Sequence, residues 1–421
     1  MTRPTKRTWE RRLLSGVQER SRLADHEAHW GPLPQARGSE LLADVQASGL
    51  LGRGGAGFPT GRKMLTVAVG GGKTVVVANG AEGEPASAKD RLLLMRAPHL
   101  VLDGIQLAAR IVGADEAYLV IHRGTGATDS LYVAINERRD RVKVQLREAP
   151  SAYVASEESA VVHWLNGGEA KPTFTPPRPF ERGVNGKPTL VNNVETLAHL
   201  ATIARRGSEW FRSVGDGDEP GTLLLTVTGQ SVQRQVAEVP TGTPIGEVIS
   251  VAGVDLDETL AVLVGGYFGT WLAPDLAAQL PLSHHALRAT GGGLGAGVVV
   301  ALPADRCGLL ETARVAAYLA SHNAGQCGPC LNGLPAIAGA LQRLATGDWD
   351  DRWWPALERW MSVVPGRGAC RHPDGAVRFV ASALPAFAAD VAAHRAGRPC
   401  AGIKRPAFLP LPASSSSPSW R

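Results

Sequence analysis

The sequence contains no apolar run long enough to cross a bilayer. Its best apolar stretch, Leu260–Ala273, is short and interrupted by glycine, whereas a membrane-spanning helix needs about 20 apolar residues. The charged opening Thr2–Arg12 is not followed by a sustained apolar run, so we predict no secretory signal. We therefore expect a cytoplasmic protein, which could still lie at the periphery of a membrane through a partner.

The basic residues are too scattered for a nucleic-acid-binding protein, and the cysteines are too few for a protein held together by disulfides. Lys and Arg total 44 against 39 Asp and Glu, which gives a net charge of +5 without a concentrated basic stripe. This argues against nucleic acid as a partner, because such surfaces cluster basic residues with interleaved aromatics. The five cysteines are an odd number in a long chain, which argues against a disulfide framework. Metal or cluster ligation is therefore the question to ask of these thiols.

Hydrophobic patterning divides the chain into several units. A chain of 421 residues is too long for one core, and roughly two to four domains are expected. β-Branched runs alternate with helical patterns in the first half, which predicts an α/β layer around a mainly parallel sheet. The predicted units are residues 1–45 (helical), 46–214 (α/β), 215–302 (β-rich), 303–396 (helical) and 397–421 (a disordered tail).

Individual strands and helices follow from the same patterns. The predicted strands are Thr74–Ala78, Ala117–His122, Val142–Leu146, Thr222–Thr228, Ala237–Pro240 and Ala261–Val264. The main predicted helices are Leu100–Val112, Glu157–Leu165, Ile245–Val251, Leu309–Leu319, Leu334–Leu344 and Val377–His394.

The sharpest local signal is Cys327-Gly-Pro-Cys330, with Cys370 in a glycine-rich loop further on. Two thiolates at this spacing can hold one edge of an iron–sulfur cluster or a zinc ion. Zinc would need a fourth soft ligand, yet the sequence has no second C-x-x-C pair. A redox dithiol would be expected beside a β-α-β pattern, whereas this pair lies between helices. The remaining interpretation is that these cysteines are simply small buried residues of the core.

A glycine-rich loop, Gly52-Arg-Gly54-Gly-Ala-Gly57, fits the pattern G-x-G-x-x-G. The dinucleotide-binding form of this motif requires a strand just before it and a helix just after it. Here Leu50-Leu51 ends a predicted helix and Phe58-Pro59 interrupts the exit, so we do not expect a standard dinucleotide fold. The glycines still allow backbone N–H groups to approach a phosphate or a flat ring closely.

Several polar motifs are unremarkable when each is taken singly. Asn79–Glu84 follows a predicted strand, where α/β sheets bind ligands. Lys89–Arg91 is typical of a solvated helix face, and Glu157-Glu158 would suit a helix N-terminus. The adjacent amides Asn192-Asn193 suit a cofactor's polar edge or a turn equally well.

Taken together, these motifs resemble a known family. Gly52–Lys63, Asn79–Arg91, Ala152–Leu165, Gly186–Leu197 and Gly325–Cys330 occur in the order found in the NADH-binding flavoprotein subunit of respiratory complex I. Related subunits occur in NAD-reducing hydrogenases and formate dehydrogenases. The resemblance covers roughly residues 40–395. It implies a Rossmann-like flavin domain, a β-grasp domain of the soluble-ligand-binding type, and a helical bundle with a 4Fe-4S cluster. It also implies an oxidoreductase in which electrons pass from NADH to FMN and on to the cluster.

The resemblance also assigns residues to each cofactor. Phe58 is the residue implied for the NADH adenine, and the implied cluster ligands are Cys327, Cys330 and Cys370; Cys330 and Cys370 have the family's interval. The chemistry is flavin-mediated, so no side chain is assigned as catalytic. The implied FMN contacts are Gly52, Gly54, Gly55, Lys63, Asn79, Glu82, Tyr153, Glu157, Glu158, Asn192 and Asn193.

The chain departs from the family at a few of these positions. Ala324 stands where the first cluster cysteine is expected, so a substitute ligand is needed for four irons. Our first choice is His322, since imidazole replaces thiolate in some iron–sulfur centres; a 3Fe-4S cluster is the alternative. Thr66 and Arg178 stand where adenine-facing aromatics are expected, leaving Phe58. Two other family positions are changed, a lysine to Thr175 and an acidic residue to Ala81.

Three functions remain open on the sequence. The first is NADH oxidation through FMN and the cluster. The second is an FMN and iron–sulfur module that exchanges electrons with a ferredoxin or a membrane reductase without NADH. The third is a non-catalytic scaffold. For the first two, the expected partner is a ferredoxin-like or thioredoxin-fold iron–sulfur protein within a redox complex that could lie on a membrane.

Overall fold

A four-stranded parallel sheet forms the first half of the protein. The computed structural model describes residues 9–16, 22–412 and 419–421. The strands are β1 (Val75–Asn79), β2 (Glu116–His122), β3 (Val144–Ala149) and β4 (Thr189–Asn193). The helices are α1 (Leu23–Trp30), α2 (Gly38–Ser48), α3 (Thr60–Val69), α4 (Lys89–Arg96), α5 (Pro98–Val112), α6 (Thr128–Asn136), α7 (Glu158–Leu165) and α8 (Val194–Arg212).

The strand order of this sheet creates a ligand-binding edge. The order is β3-β2-β1-β4, and β1 pairs in parallel with β2 on one side and β4 on the other. β1 is central, and its valines are buried, as expected for a parallel strand covered on both faces. The chain reverses direction across the sheet between β1 and β4, and such switch points are where open α/β sheets bind ligands, at the carboxyl ends of the strands.

A five-stranded mixed sheet forms the second unit. Its strands are β5 (Thr222–Gly229), β6 (Val232–Pro240), β7 (Thr259–Val264), β8 (Thr270–Leu272) and β9 (Val298–Pro303), and its short helices are α9 (Ile245–Val251), α10 (Pro274–Gln279) and α11 (His284–Ala289). The order is β6-β5-β9-β7-β8. β9 lies in the middle, parallel to β5 and antiparallel to β7. This is the layout expected of the predicted β-grasp domain.

A helical bundle follows the second sheet. Its helices are α12 (Gly308–Ser321), α13 (Leu334–Thr346), α14 (Trp353–Val363), α15 (His372–Ala386) and α16 (Ala388–Arg395). A single π-helical turn, Pro329–Gly333, leads into α13. In the described part of the chain, no single helix has the length and apolar content to cross a membrane; two sharply bent helix pairs meet those criteria only when each pair is taken together.

Most predicted elements are present, with corrections at the ends and in the bundle. Residues 22–45, predicted as helical, contain α1 and the start of α2, separated by an irregular segment. The predicted helix Val377–His394 is two helices, α15 and α16, because Pro385 lacks the N–H needed to continue the first one. Helix α14 was not predicted, although its apolar residues do lie along one face of the helix.

The tail predicted as disordered is ordered where the structure describes it. The backbone N–H groups of Phe408 and Leu409 each donate to the Glu311 carboxylate at 2.9 Å, and Leu409 is buried. The segment therefore folds back onto the first helix of the bundle. The predicted disorder at Ser414–Ser417 lies outside the described residues.

Candidate functional site

The glycine-rich loop crosses the carboxyl ends of β1 and β4. Asn79 and Asn193 end these strands and are paired in the sheet. A Cβ on Gly54 would come within 3.3 Å of the Asn193 Cβ, so the loop backbone lies close against that asparagine. Gly55 has a φ of +105° and packs against the backbone of Gly295 from the second sheet. As predicted, the loop follows a helix, α2, and not a strand.

Several buried donors at this edge have no partner among the described residues, including Nε and Nη1 of Arg53 in the glycine loop. The side-chain nitrogen of Asn192 is buried and makes no hydrogen bond within the described part of the chain. Buried polar groups are nearly always satisfied, and an exception needs an explanation. The carbonyl edge of a flavin ring would supply the missing acceptor. Together with the unpaired Arg53 nitrogens in the glycine loop, this orphaned amide shows that the residues present fit FMN.

Lys63 lies in the first turn of α3, directly after the glycine loop. Its Nζ atom forms a salt bridge of 2.9 Å with Glu158 at the start of α7, and both side chains are partly exposed. A fixed ammonium group in this position can serve as a point charge for a phosphate.

Four of the other sequence-predicted residues have hydrogen bonds that brace this edge of the sheet. Asn79 Nδ2 donates to the Ser156 carbonyl at 2.8 Å, and Asn193 accepts from the Glu195 N–H at the start of α8. Glu157 caps α7 by accepting from two backbone N–H groups, and Glu82 accepts from the Asp90 N–H at the start of α4. These side chains hold the ends of strands and helices in place. Burial raises the pKa of both glutamates.

A buried charged network was missed by the sequence analysis. Lys89, assigned above to a solvated helix face, is only 3% exposed and forms salt bridges of 2.8 Å to Asp90 and 2.7 Å to Glu195. Burial alone would lower the pKa of Lys89, but the two carboxylates outweigh it and raise that pKa. Asp90 also accepts from Asn193 Nδ2 at 2.7 Å. The prediction was wrong because α4 packs its N-terminus against the second sheet. The adjacent Lys-Asp pair was the available signal.

Glu84 was also missed, although it lies in the same motif as Glu82. Its carboxylate accepts from the Tyr267 N–H at 2.7 Å and from the Tyr153 hydroxyl at 3.0 Å. Burial raises the pKa of Glu84 to about 7 despite these bonds. Tyr153 in turn makes edge contacts with Phe268 and with His372, at centroid distances of 4.9 and 5.8 Å. Tyr153 therefore connects the flavin-type cradle to the helical bundle.

The bundle end of that connection carries the three predicted cysteines. Cys330 interacts electrostatically with Cys327 and Cys370, and Cys370 interacts with Cys327. Burial raises the pKa of both Cys330 and Cys370, the latter to about 11. The three ligand sulfurs do not form a group within 4.8 Å of one another. In an iron–sulfur cluster each thiolate binds a different iron. Three cysteines that lie near enough to interact with one another thus fit such a group.

The position before Cys327 offers no further thiol. Ala324 is buried in the apolar core of the bundle, and its methyl side chain has no donor atom. His322 ends α12, and its ring stacks on Tyr318 with centroids 4.1 Å apart. Its Nδ1 atom contacts the Tyr318 carbonyl at 3.1 Å and the Ser321 hydroxyl at 3.0 Å. Both contacts use Nδ1, which leaves Nε2 as the nitrogen available to a metal.

The aromatic side chains expected near a nicotinamide cofactor are few. Phe58 is 47% exposed beside the glycine loop, with the Arg62 guanidinium 6.0 Å from its ring centroid. Thr66 and Arg178 are exposed. Phe174, which the sequence analysis did not single out, is 75% exposed in the loop that contains Arg178.

These features define a class, the flavin- and iron–sulfur-binding oxidoreductase subunits. Residues 45–202 match the family described as the Nuo51 FMN-binding domain, and residues 311–394 match the NADH-ubiquinone oxidoreductase-F iron-sulfur binding region. One relative, an F subunit of NADH-quinone oxidoreductase from Rhizobium meliloti, is 32% identical over 380 residues, which cover 86% of this chain and 90% of the relative. The chain belongs to the family of NADH-quinone oxidoreductase F subunits, which confirms the resemblance identified from the sequence.

A second relative and a solved structure support the same family and fold. The NADH-quinone oxidoreductase F subunit of Aquifex aeolicus is 29% identical over 390 residues, covering 88% of each chain. The crystal structure of an NAD+-reducing NiFe-hydrogenase in the H2-reduced state matches with a TM-score of 0.79 and 31% identity over 85% of this chain. This chain spans 63% of that hydrogenase chain. The predicted fold class, a parallel Rossmann-like sheet followed by a helical C-terminal region, is thereby confirmed.

Proposed function

We propose that this chain is the flavin and iron–sulfur subunit of an NADH-oxidising complex, with FMN at the carboxyl ends of β1 and β4. When bound, FMN takes up two electrons from a hydride donor and releases them one at a time, and an iron–sulfur cluster carries single electrons onward. The protein supplies binding, orientation and exclusion of water. No side chain is assigned a catalytic role.

The unpaired Asn192 amide at the switch point carries this proposal. A buried donor left unsatisfied costs about 1–3 kcal/mol, and a flavin carbonyl would remove that cost. Lys63 is assigned to the FMN phosphate, with Glu158 holding the ammonium group at 2.9 Å. The remaining proposed contacts or supports of the flavin are Gly52, Gly54, Gly55, Asn79, Glu82, Tyr153, Glu157 and Asn193.

Cys327, Cys330 and Cys370 are proposed to hold the cluster. Their pairwise electrostatic interactions support convergence on one group. A 4Fe-4S cluster would need one more donor, for which we propose His322 through Nε2; without it, a 3Fe-4S cluster would form. Imidazole ligation also raises the reduction potential of an iron–sulfur centre.

NADH is proposed to bind with Phe58 against the adenine. An aromatic contact adds about 0.5–1.5 kcal/mol beyond buried area, and Thr66 and Arg178 cannot supply it. We therefore expect NADH to bind at least about tenfold more weakly to this chain than to family members that have aromatic residues at these positions. The same shortage favours a second candidate, an FMN and iron–sulfur module that exchanges electrons with a ferredoxin or a membrane reductase.

The partners are proposed to be other redox subunits, in a complex that this chain joins as a peripheral component. The R. meliloti relative is named as one subunit of a quinone oxidoreductase, which supports this. A thioredoxin-fold or ferredoxin-like iron–sulfur protein is the specific partner proposed. The proposed domains are residues 46–214 for FMN, 215–302 for the β-grasp unit and 303–396 for the cluster.

Anaerobic purification followed by three measurements tests the proposal. Mass spectrometry of the heat-released cofactor is expected to give FMN, and iron analysis to give a cluster. Stepwise addition of NADH is expected to bleach the flavin slowly and only at high concentration. FAD or no flavin would overturn the flavin assignment, and the absence of iron would overturn the cluster. A flavin reduced by a reduced ferredoxin but never by NADH would select the second candidate.

A further inference from the structure

A second group of metal-binding side chains lies in the bundle, apart from Cys327, Cys330 and Cys370. The ligand atoms of Cys307, His394 and Cys400 all lie within 4.8 Å of one another. Among the described residues, this is the group compact enough to hold a single ion. We propose that Cys307, His394 and Cys400 form a structural zinc site.

Three separate segments bring these side chains together. Cys307 caps the N-terminus of α12, where its sulfur accepts from the Leu310 N–H at 3.4 Å. His394 is in the last turn of α16 and is fully buried. Cys400 follows α16, just before the short 3-10 turn Ala401–Lys404. A metal here would tie the start of the bundle to its end and to the segment beyond.

The histidine is oriented as a metal ligand should be. His394 Nδ1 donates to the Leu344 carbonyl at 3.1 Å, and this bond leaves Nε2 without a proton. Nε2 points at the Cys307 sulfur from 3.9 Å. Metal-binding histidines nearly always donate their other N–H to a carbonyl or carboxylate in this way.

The spacing and chemistry of the donors favour zinc. In a tetrahedral zinc site with bonds of about 2.0–2.3 Å, neighbouring ligand atoms lie about 3.4–3.8 Å apart. The 3.9 Å between Cys307 Sγ and His394 Nε2 is close to that value. Two thiolates and an imidazole form a soft donor set that zinc prefers over magnesium or calcium. The burial of Cys307 and His394 suits a closed structural site.

Two adjustments complete the site. The Cys400 N–H donates to His394 Nε2 at 3.0 Å, so a metal must displace this bond. Asp390 lies one turn before His394, interacts electrostatically with Cys307 and His394, and accepts a hydrogen bond from the Cys400 thiol. Its carboxylate is outside the 4.8 Å group, and we assign it the fourth position after it turns inward.

Zinc and iron measured together on the full chain test the proposal. Protein purified anaerobically with its cluster is incubated with zinc chloride under reducing conditions, desalted, and analysed for both metals. We expect one zinc per chain in addition to the iron. Cys400→Ser should lose the zinc and keep the iron, whereas the matched variant Cys330→Ser should lose iron and keep zinc. Asp390→Asn should weaken zinc binding by about 10- to 100-fold.

X-ray absorption at the zinc edge of the wild-type protein keeps the proposal falsifiable even if a variant fails to fold. The expected shell has two sulfurs at about 2.3 Å and lighter ligands at about 2.0–2.2 Å. A shell of three or more sulfurs, wild-type protein without zinc, or zinc that Cys330→Ser removes and Cys400→Ser retains would each overturn the proposal.

Discussion

The parallel-sheet half and the helical half of this protein prepare their sites in opposite ways. In the sheet half, several polar side chains at the proposed flavin edge already have partners, such as Lys63 with Glu158 and Asn193 with Asp90, while the Asn192 amide has none. In the helical half, Cys327, Cys330 and Cys370 lie near one another. Burial raises the pKa of Cys330 and Cys370, which favours the thiol form until a metal binds. A preorganised site binds its ligand at low cost, whereas a thiol site depends on metal to hold it together.

The largest expected effect is on the helical half. Cys330→Ser should abolish cluster binding, because it removes the most buried of the three thiolates and Ala324 supplies no replacement. Iron content and visible absorption measure the loss, while FMN content should remain at the wild-type level. Loss of both FMN and iron would show that the flavin site depends on the cluster site, and would contradict the view that the two halves prepare their sites independently.

The next largest effect is a pH dependence from Glu84 in the sheet half. Its pKa of about 7 in the folded protein lies above the ordinary value of 4.5. Between those values the folded state binds the extra proton, so stability falls as the pH rises from about 4.5 to 7. The expected loss is roughly 3 kcal/mol, since each pKa unit corresponds to about 1.4 kcal/mol.

Denaturant unfolding of Glu84→Gln at several pH values checks this prediction. The variant should lose less stability than the wild type between about pH 5 and pH 8. Glu209→Gln, which alters an exposed glutamate, is the matched control and should behave as the wild type does. An identical pH profile for Glu84→Gln and the wild type would contradict the raised pKa.

A smaller effect is expected for the proposed phosphate contact. Lys63→Ala should weaken FMN binding by about 1.5–3 kcal/mol, or about 10- to 150-fold, because it removes a charged hydrogen bond. Fluorescence titration of the apoprotein with FMN measures it. Lys73→Ala, which alters an exposed lysine, is the control. Glu158→Gln should reduce affinity less than Lys63→Ala does, because the lysine remains, and equal losses from both single variants would point to a structural role for the pair.

The smallest effect is expected for adenine stacking. Phe58→Ala should raise the KM for NADH by about 2- to 12-fold, corresponding to about 0.5–1.5 kcal/mol. Steady-state NADH oxidation with an artificial acceptor measures it, and kcat should stay nearly constant. An unchanged KM would mean that another side chain contacts the adenine. The exposed aromatic ring of Phe174 is the first alternative to test.

Local patterns were sufficient for much of the fold. The β-branched run at Thr74–Ala78 and the apolar periodicity of Leu100–Val112 predicted β1 and α5 to within two residues, because burial of a strand or a helix face leaves a direct record in the sequence. The burial of Lys89 could not be predicted in this way. Its partner Glu195 is more than a hundred positions away, and only the packing of α4 against α8 and β5 brings the two together.

The sequence by itself determined the family, the fold class and the implied cofactors, because motif blocks and hydrophobic periods are local and ordered along the chain. Only the tertiary structure decided which of the scattered side chains meet. Cys307, His394 and Cys400 show no motif spacing, yet helix packing places their ligand atoms within 4.8 Å. Proximity between distant residues depends on how helices and sheets pack against one another, and no local pattern in the sequence records that packing.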